Sequence, residues 1–198
     1  MKFFTPEVYR SWYNPNPTEH ILMAAHRQYH RYIESLQSVL PSHLIALTQL
    51  AGTDDGLIVK AHHDRDAKLL EITLRCGDLQ MGYYDLVLLY EDAEISPQHE
   101  QKLAHIARTT KSDGEHESDL WVHEVDIAES GRFIHRLFFH QVWFEISCRD
   151  LQWEKSERPN RNLPRIRKRY TSEGEREFSQ AAQCVLEKNT EPHCPLAG

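Results

Sequence analysis

From Leu57 onward the chain stops placing its apolar residues every three or four positions and begins to place them at every second one. Successive side chains of a strand point to opposite faces, so this change of period commits the stretch to half-buried strands. Six segments carry the pattern: Leu57–His62, Leu69–Cys76, Met81–Tyr90, Leu120–Ile127, Arg132–Phe139 and Val142–Leu151. All are rich in β-branched and aromatic residues. The linkers Asp64-Arg65-Asp66, Gly77-Asp78 and Glu129-Ser130-Gly131 are short and made of turn residues. A parallel crossover needs about a dozen residues or more, so these neighbours pair antiparallel.

Helical signals lie outside and between the strands. Thr18 caps a helix that starts after Pro15-Asn16-Pro17 and runs to about Leu40, where Pro41 stops it. A shorter helical piece spans His43 to Leu50, and Gly52-Thr53-Asp54-Asp55-Gly56 breaks the chain before the first strand. Ser96, with Pro97 at the first helical position, opens a helix to about Thr109. The expected fold class is therefore α+β, a mainly antiparallel β-meander of about six strands with the N-terminal and inserted helices packed on one face. That domain takes residues 1–157, and residues 158–198 form a basic arm, a short helix marked by Ser172 and Glu175, and a disordered tail.

Hairpin loop length decides which side chains share a face. A two-residue loop at Gly77-Asp78 would bury Asp85 among Leu70, Ile72 and Leu74, whereas a loop of three or five residues puts Tyr84, Leu86, Leu88 and Tyr90 there. The odd loop is preferred, because an unpaired buried carboxylate costs far more than a glycine bulge. It sends Asp85 to the opposite face, across from Glu71. A three-residue loop at Glu129-Ser130-Gly131 likewise gathers Trp121, Val125 and Ile127 with Phe133, Leu137 and Phe139, and sets Glu124 across from Arg136. The second face of the sheet then holds Glu71, Thr73, Arg75, Asp85, Glu124, Asp126, Arg136, His140, Trp143, Glu145, Ser147 and Arg149, a polar surface of mixed charge.

Two uses of that face differ in class. As a non-enzymatic interaction module, the protein meets a protein partner through Arg75, Glu124, Arg136, Trp143, Glu145 and Arg149. As an acid/base hydrolase, it uses Glu71 and Asp85 as paired carboxylates, one protonated and one ionised. In the simpler alternative, Arg75 neutralises the two on a solvated face. The first use is preferred, because the chain contains no GxxxxGK[ST] loop, GxGxxG turn, GxSxG elbow or cysteine-rich zinc pattern.

Histidine is frequent, at 13 residues. His62, His63, Asp64 and Asp66 crowd one turn, and His26 and His30 stand one helical turn apart. Neither group presents a regular ligand set, and Arg27 stands where an HExxH motif needs its general base. No metal or cofactor is expected. His123 and His135 fall on the apolar face, where a buried imidazole bonds to a neighbour or lines a ligand pocket between sheet and helices. Cys76 and Cys148 read as core residues; Cys184 and Cys194, beside His193, lie in the polar tail.

The net charge of −7 disfavours a nucleic-acid-coating role, although Arg158, Arg161, Arg165, Arg167, Lys168 and Arg169 cluster in the arm, where they suit self-association with the acidic domain. No run approaches the ~20 apolar residues of a membrane span, and MKFFTPEVYRSW lacks a signal-peptide core; a cytoplasmic location is expected.

The opening Phe4-Thr5-Pro6-Glu7-Val8-Tyr9, the helix with Tyr29, Tyr32 and Leu36, then Leu40-Pro41, Leu44, Leu47 and the Asp54-Asp55 break resemble an uncharacterised bacterial domain-of-unknown-function family with an N-terminal FT-x-E-x-Y segment. The resemblance covers the first third to half of the chain. It implies a bacterial cytosolic origin and brings no activity, cofactor or catalytic residue with it.

Overall fold

The structure is a computed structural model that describes residues 1–10, 19–54, 56–112, 119–139 and 142–159. All of these lie in one compact unit, Met1–Arg161. The fold is α+β. Helices α1 (Pro6–Arg10), α2 (Glu19–Ser35) and α3 (Ser42–Thr48) precede strands β1 (Gly56–Asp64), β2 (Leu69–Asp78), β3 (Gly82–Glu91) and the short β4 (Glu94–Ile95). Helix α4 (Pro97–Ser112) follows, then β5 (Asp119–Ile127), β6 (Phe133–Phe139), β7 (Val142–Cys148) and β8 (Asp150–Arg158). As expected at its start, α4 is capped by the Ser96 hydroxyl, which accepts the His99 N–H at 3.2 Å. Among the described residues no helix is long and apolar enough to cross a membrane.

The strands form one antiparallel sheet of eight, in the order β4-β7-β6-β5-β1-β2-β3-β8, rather than a meander of about six. Two three-stranded meanders, β1-β2-β3 and β5-β6-β7, meet where β1 pairs with β5 at only two positions, Gly56↔Leu120 and Leu57↔Asp119. The expected last strand is divided: β7 stays beside β6, and β8 crosses to pair with β3 at the opposite edge. Only Arg149 joins them, so the sheet curls until the ends of β7 and β3 meet, and the Arg149 N–H donates to the Glu91 carbonyl at 2.9 Å. Curling brings Tyr90 of β3 against His135 of β6.

The β2–β3 hairpin has the expected odd loop, Leu79-Gln80-Met81, closed by the pair Asp78↔Gly82. Leu70, Ile72, Leu74 and Cys76 consequently face Tyr90, Leu88, Leu86 and Tyr84 in the core. Leu22, Ala25, Tyr29 and Ile33 of α2, Leu44 and Leu47 of α3, and Leu103, Ile106 and Ala107 of α4 join the same core. The expectation for Trp121 needs correction. A bulge between Leu120 and Val122 shifts the register, so Leu120 enters the core and Trp121 is half-buried against Phe138, ring centroids 5.6 Å apart.

Candidate functional site

The polar side chains of the mixed-charge face bind one another. Asp85 stands across from Arg75, not from Glu71, whose partner is Leu89. The Arg75 guanidinium forks onto Asp85, and Arg158 Nε of β8 adds a bond at 2.6 Å. Burial works to raise the Asp85 carboxyl, but the two guanidiniums outweigh it and hold the group below the ordinary carboxylate value. Glu71 takes Lys60 Nζ at 2.8 Å. With Glu71 four residues along β2 from the partner of Asp85, about 13 Å of strand, the expected carboxylate pair is not assembled. Arg158, read from the sequence as the first residue of the arm, instead closes a strand; the arm from residue 160 onward and His140 lie outside the described residues.

On β5 and β6, Glu124 does face Arg136, yet it is covered rather than open, at 1% exposure. The segment before α1 lies over it. Glu124 Oε2 accepts the Lys2 N–H at 2.8 Å, and Oε1 accepts those of Phe3 and Phe4, both at 2.7 Å. Arg136 binds Asp126 at 3.0 Å and Glu145 at 2.7 Å, and the Tyr32 hydroxyl donates to Asp126. Trp143 is half-buried with its ring edge-on to His99, centroids 5.2 Å apart, and Arg149 binds Glu91 at 2.9 Å.

A different feature emerges beside β5. Because β1 begins only at Gly56, no strand among the described residues accompanies β5 from Trp121 onward on the side away from β6, and α2 with the loop from Thr48 to Asp54 stands off from that exposed edge. Between them lies a cavity of about 600 Å³. Phe4, Tyr29, Thr53 and His123 form its buried walls, and Met23 and Asp54 stand at its exposed rim. His26, also at the rim, packs on Phe4 with ring centroids 4.6 Å apart.

Buried N–H and C=O groups are nearly always paired, and several of those along that edge have a protein partner. Ala128 bonds Arg132 across the β5–β6 turn, so even-numbered residues of β5 direct their N–H and C=O to β6 and odd-numbered ones direct theirs outward. Outward-facing Ile127 N–H donates to Asp126 Oδ1 at 2.8 Å. Val125 N–H donates to the Tyr29 hydroxyl at 2.6 Å, and that hydroxyl turns back to the Val125 carbonyl at 3.5 Å. Burial pushes the Tyr29 phenol well above its usual range, so it stays neutral and serves both groups. His123 is next along the edge. Its main-chain N–H and C=O take no partner among the described residues and face the cavity.

The His123 side chain points to the core and ends a buried chain. Its Nδ1 lies 3.1 Å from His135 Nε2, and His135 Nδ1 lies 2.8 Å from the Tyr90 hydroxyl. Burial lowers His123 to about 4, against a small opposing pull from Asp54, and drives His135 well below its ordinary value. Both rings are therefore neutral at neutral pH. The sequence placed the two histidines on the apolar face correctly; Tyr90, Tyr29 and Phe4 came from elements too distant in sequence to be associated with them.

The remaining histidine groups are dispersed. His63 and Arg65 bind Glu100 at 3.0 and 2.6 Å, and His30 approaches Glu34 at 3.3 Å. Among the described residues no group of three or more metal-ligand side chains converges. Cys76 and Cys148 are buried thiols, the latter pushed up to about 12 by burial. Comparison with protein-family models, curated proteins and solved structures finds no match, so the function is argued from the cavity itself.

Proposed function

We propose that this domain binds a small, planar organic molecule in the cavity beside β5. One observation carries the reading: along the open edge of β5 the protein satisfies Val125 and the Ile127 N–H, whereas the His123 main chain takes no partner among the described residues and faces the cavity. A donor and an acceptor on one strand residue match a ligand carrying the complementary pair, as a carboxamide or a lactam-like ring edge does. Phe4, Tyr29 and Trp121 supply the flat apolar walls such a ring packs against. Binding of a protein partner through the mixed-charge face has less to draw on. Glu124 and Asp126 are already engaged by the N-terminal segment, Tyr32 and Arg136, and Glu145 and Arg149 pair with Arg136 and Glu91.

Titration with benzamide, followed by amide NMR shifts, tests the reading. At about 0.4 kcal/mol per non-hydrogen atom, benzamide gains about 3.5 kcal/mol, a Kd of a few millimolar. Saturable shifts at His123, Trp121 and Tyr29 are expected. Shifts confined to other surfaces, or none up to about ten times that concentration, would refute it.

A further inference from the structure

The chain Tyr90–His135–His123 has a direction. Each neutral imidazole carries one N–H and one bare nitrogen, so the proton positions along the chain are coupled. Tyr90 is fully buried, and its hydroxyl has no hydrogen-bond partner among the described residues except His135 Nδ1. If His135 donated from Nδ1, the Tyr90 O–H proton would be left buried with no acceptor, an arrangement that proteins avoid. Tyr90 therefore donates to His135 Nδ1. His135 must then carry its proton on Nε2 and donate to His123 Nδ1 at 3.1 Å. His123 in turn carries its proton on Nε2. That nitrogen has no protein partner among the described residues, no buried side-chain polar atom there lacks one, and the ring lines the cavity; Nε2 is thus open to it.

We infer that Tyr90, acting through His135, fixes His123 as a hydrogen-bond donor toward the cavity, so that the ligand presents a neutral acceptor, a carbonyl oxygen or a bare ring nitrogen, at that point. The inference rests on the cavity being a ligand site and adds the polarity of its imidazole. A metal ion is disfavoured there, since it would need the Nε2 lone pair and hence a reversal that orphans the Tyr90 proton. An anionic acceptor is disfavoured as well: among the described residues no Lys or Arg lines the cavity, and Asp54 stands at its rim. Tyr90 is thus a positioning residue for specificity, two side chains removed from the ligand.

Side-chain ¹⁵N NMR reads the tautomers directly. In the full chain at neutral pH, both His123 and His135 are expected as Nε2–H. Tyr90→Phe removes the group that sets the direction, so His123 should become a mixture of tautomers and benzamide affinity should fall roughly three- to tenfold. Aniline, of similar shape but with a donor in place of the carbonyl, should bind the original protein at least about tenfold more weakly than benzamide and lose little in the variant. Benzamide binding with His123 found as Nδ1–H would overturn the polarity alone and leave the cavity reading standing. Equal binding of aniline and benzamide would also overturn the polarity. Nε2–H tautomers with no benzamide bound at His123 would instead sink the cavity reading. The tautomers of the unaltered chain decide the polarity even if Tyr90→Phe does not fold.

Discussion

Replacing Glu124 with alanine removes the acceptor of three main-chain N–H groups at 2.7–2.8 Å, and two responses compete. If residues 1–4 stay in place, three charge-assisted hydrogen bonds worth about 1.5–3 kcal/mol each are lost, and the Phe4 N–H is left buried without a partner. That route costs about 5 kcal/mol or more. If the segment instead lifts away, water satisfies the N–H groups, and the cost is exposure of Phe4, now at 1%, with part of Phe3. At about 1.5–3 kcal/mol per fully buried large apolar side chain, detachment costs about 3–4 kcal/mol. The cheaper route governs. Arg136 does not change the outcome, because Glu124 lies 3.8 Å from it while Asp126 and Glu145 hold it at 3.0 and 2.7 Å. Glu124→Ala should therefore lose about 3–4 kcal/mol in urea unfolding, with the amides of Lys2, Phe3 and Phe4 exchanging freely in the folded state. Glu124→Gln keeps an oxygen for Phe3 and Phe4, which share Oε1, and should lose about half as much with the segment still docked. A loss under about 1 kcal/mol in the alanine variant, with those amides still protected, would refute the anchoring role.

Stability should also fall between pH 6.5 and about 4, because the unfolded chain takes up a proton on His123 near 6.5 and the folded chain only near 4. The unfolded state binds more protons in that window, and the gap between about 6.5 and about 4 costs up to about 3 kcal/mol; urea midpoints unchanged between about pH 7 and 4.5 would contradict it. The depressed carboxyls of Asp85 and Asp126 act lower, their stabilisation being lost as pH falls below the ordinary 3.8. Arg75→Ala should cost about 3–5 kcal/mol in thermal or urea unfolding by leaving Asp85 buried with one partner, whereas Arg158→Ala, on a half-exposed side chain, should cost about 1 kcal/mol; the reverse order would count against the pairing described. Gly77→Ala places a Cβ 2.0 Å from the Gly82 carbonyl oxygen at a φ of +90° and should shift the melting temperature far more than Gly131→Ala, where φ is +80° but the space is open.

What the sequence disclosed, and what it did not, follows from how far each signal travels. The β2–β3 register was legible because the wrong loop length would bury Asp85 among leucines, a local conflict with a large cost. The burial of His123 and His135 followed from alternation alone. Strand β8 was missed because Asp150–Arg158 buries only Leu151 and reads as a polar loop; it is an edge strand whose charges discourage further pairing. The bulge at Trp121 carries no glycine or proline to announce it. Glu124 was assigned to an open face because its donors lie 120 or more residues away, where no periodicity reaches. The cavity did leave a trace: the Gly52–Gly56 break delays β1, and a strand that starts late leaves its neighbour's edge unpaired.

His123 and Glu124 are adjacent in β5, and alternation sends their side chains to opposite faces, yet both bear on the same cavity. His123 supplies its polar wall. Glu124 holds the segment that ends in Phe4, whose ring packs edge-on against Tyr29 at 5.5 Å to form an apolar wall. Glu124→Ala should then weaken benzamide as well, although the substituted side chain lies on the other face from His123. Detachment of Phe4 removes roughly half of a ring-stacking surface, so a loss of about 1 kcal/mol, near fivefold in Kd, is expected. The tautomer of His123 should be untouched, because Tyr90 and His135 remain in place. An Nδ1–H signal in Glu124→Ala would mean that the two faces of β5 are coupled through the strand itself. Unchanged benzamide affinity with the segment released would mean that Phe4 lines the cavity without contributing to binding.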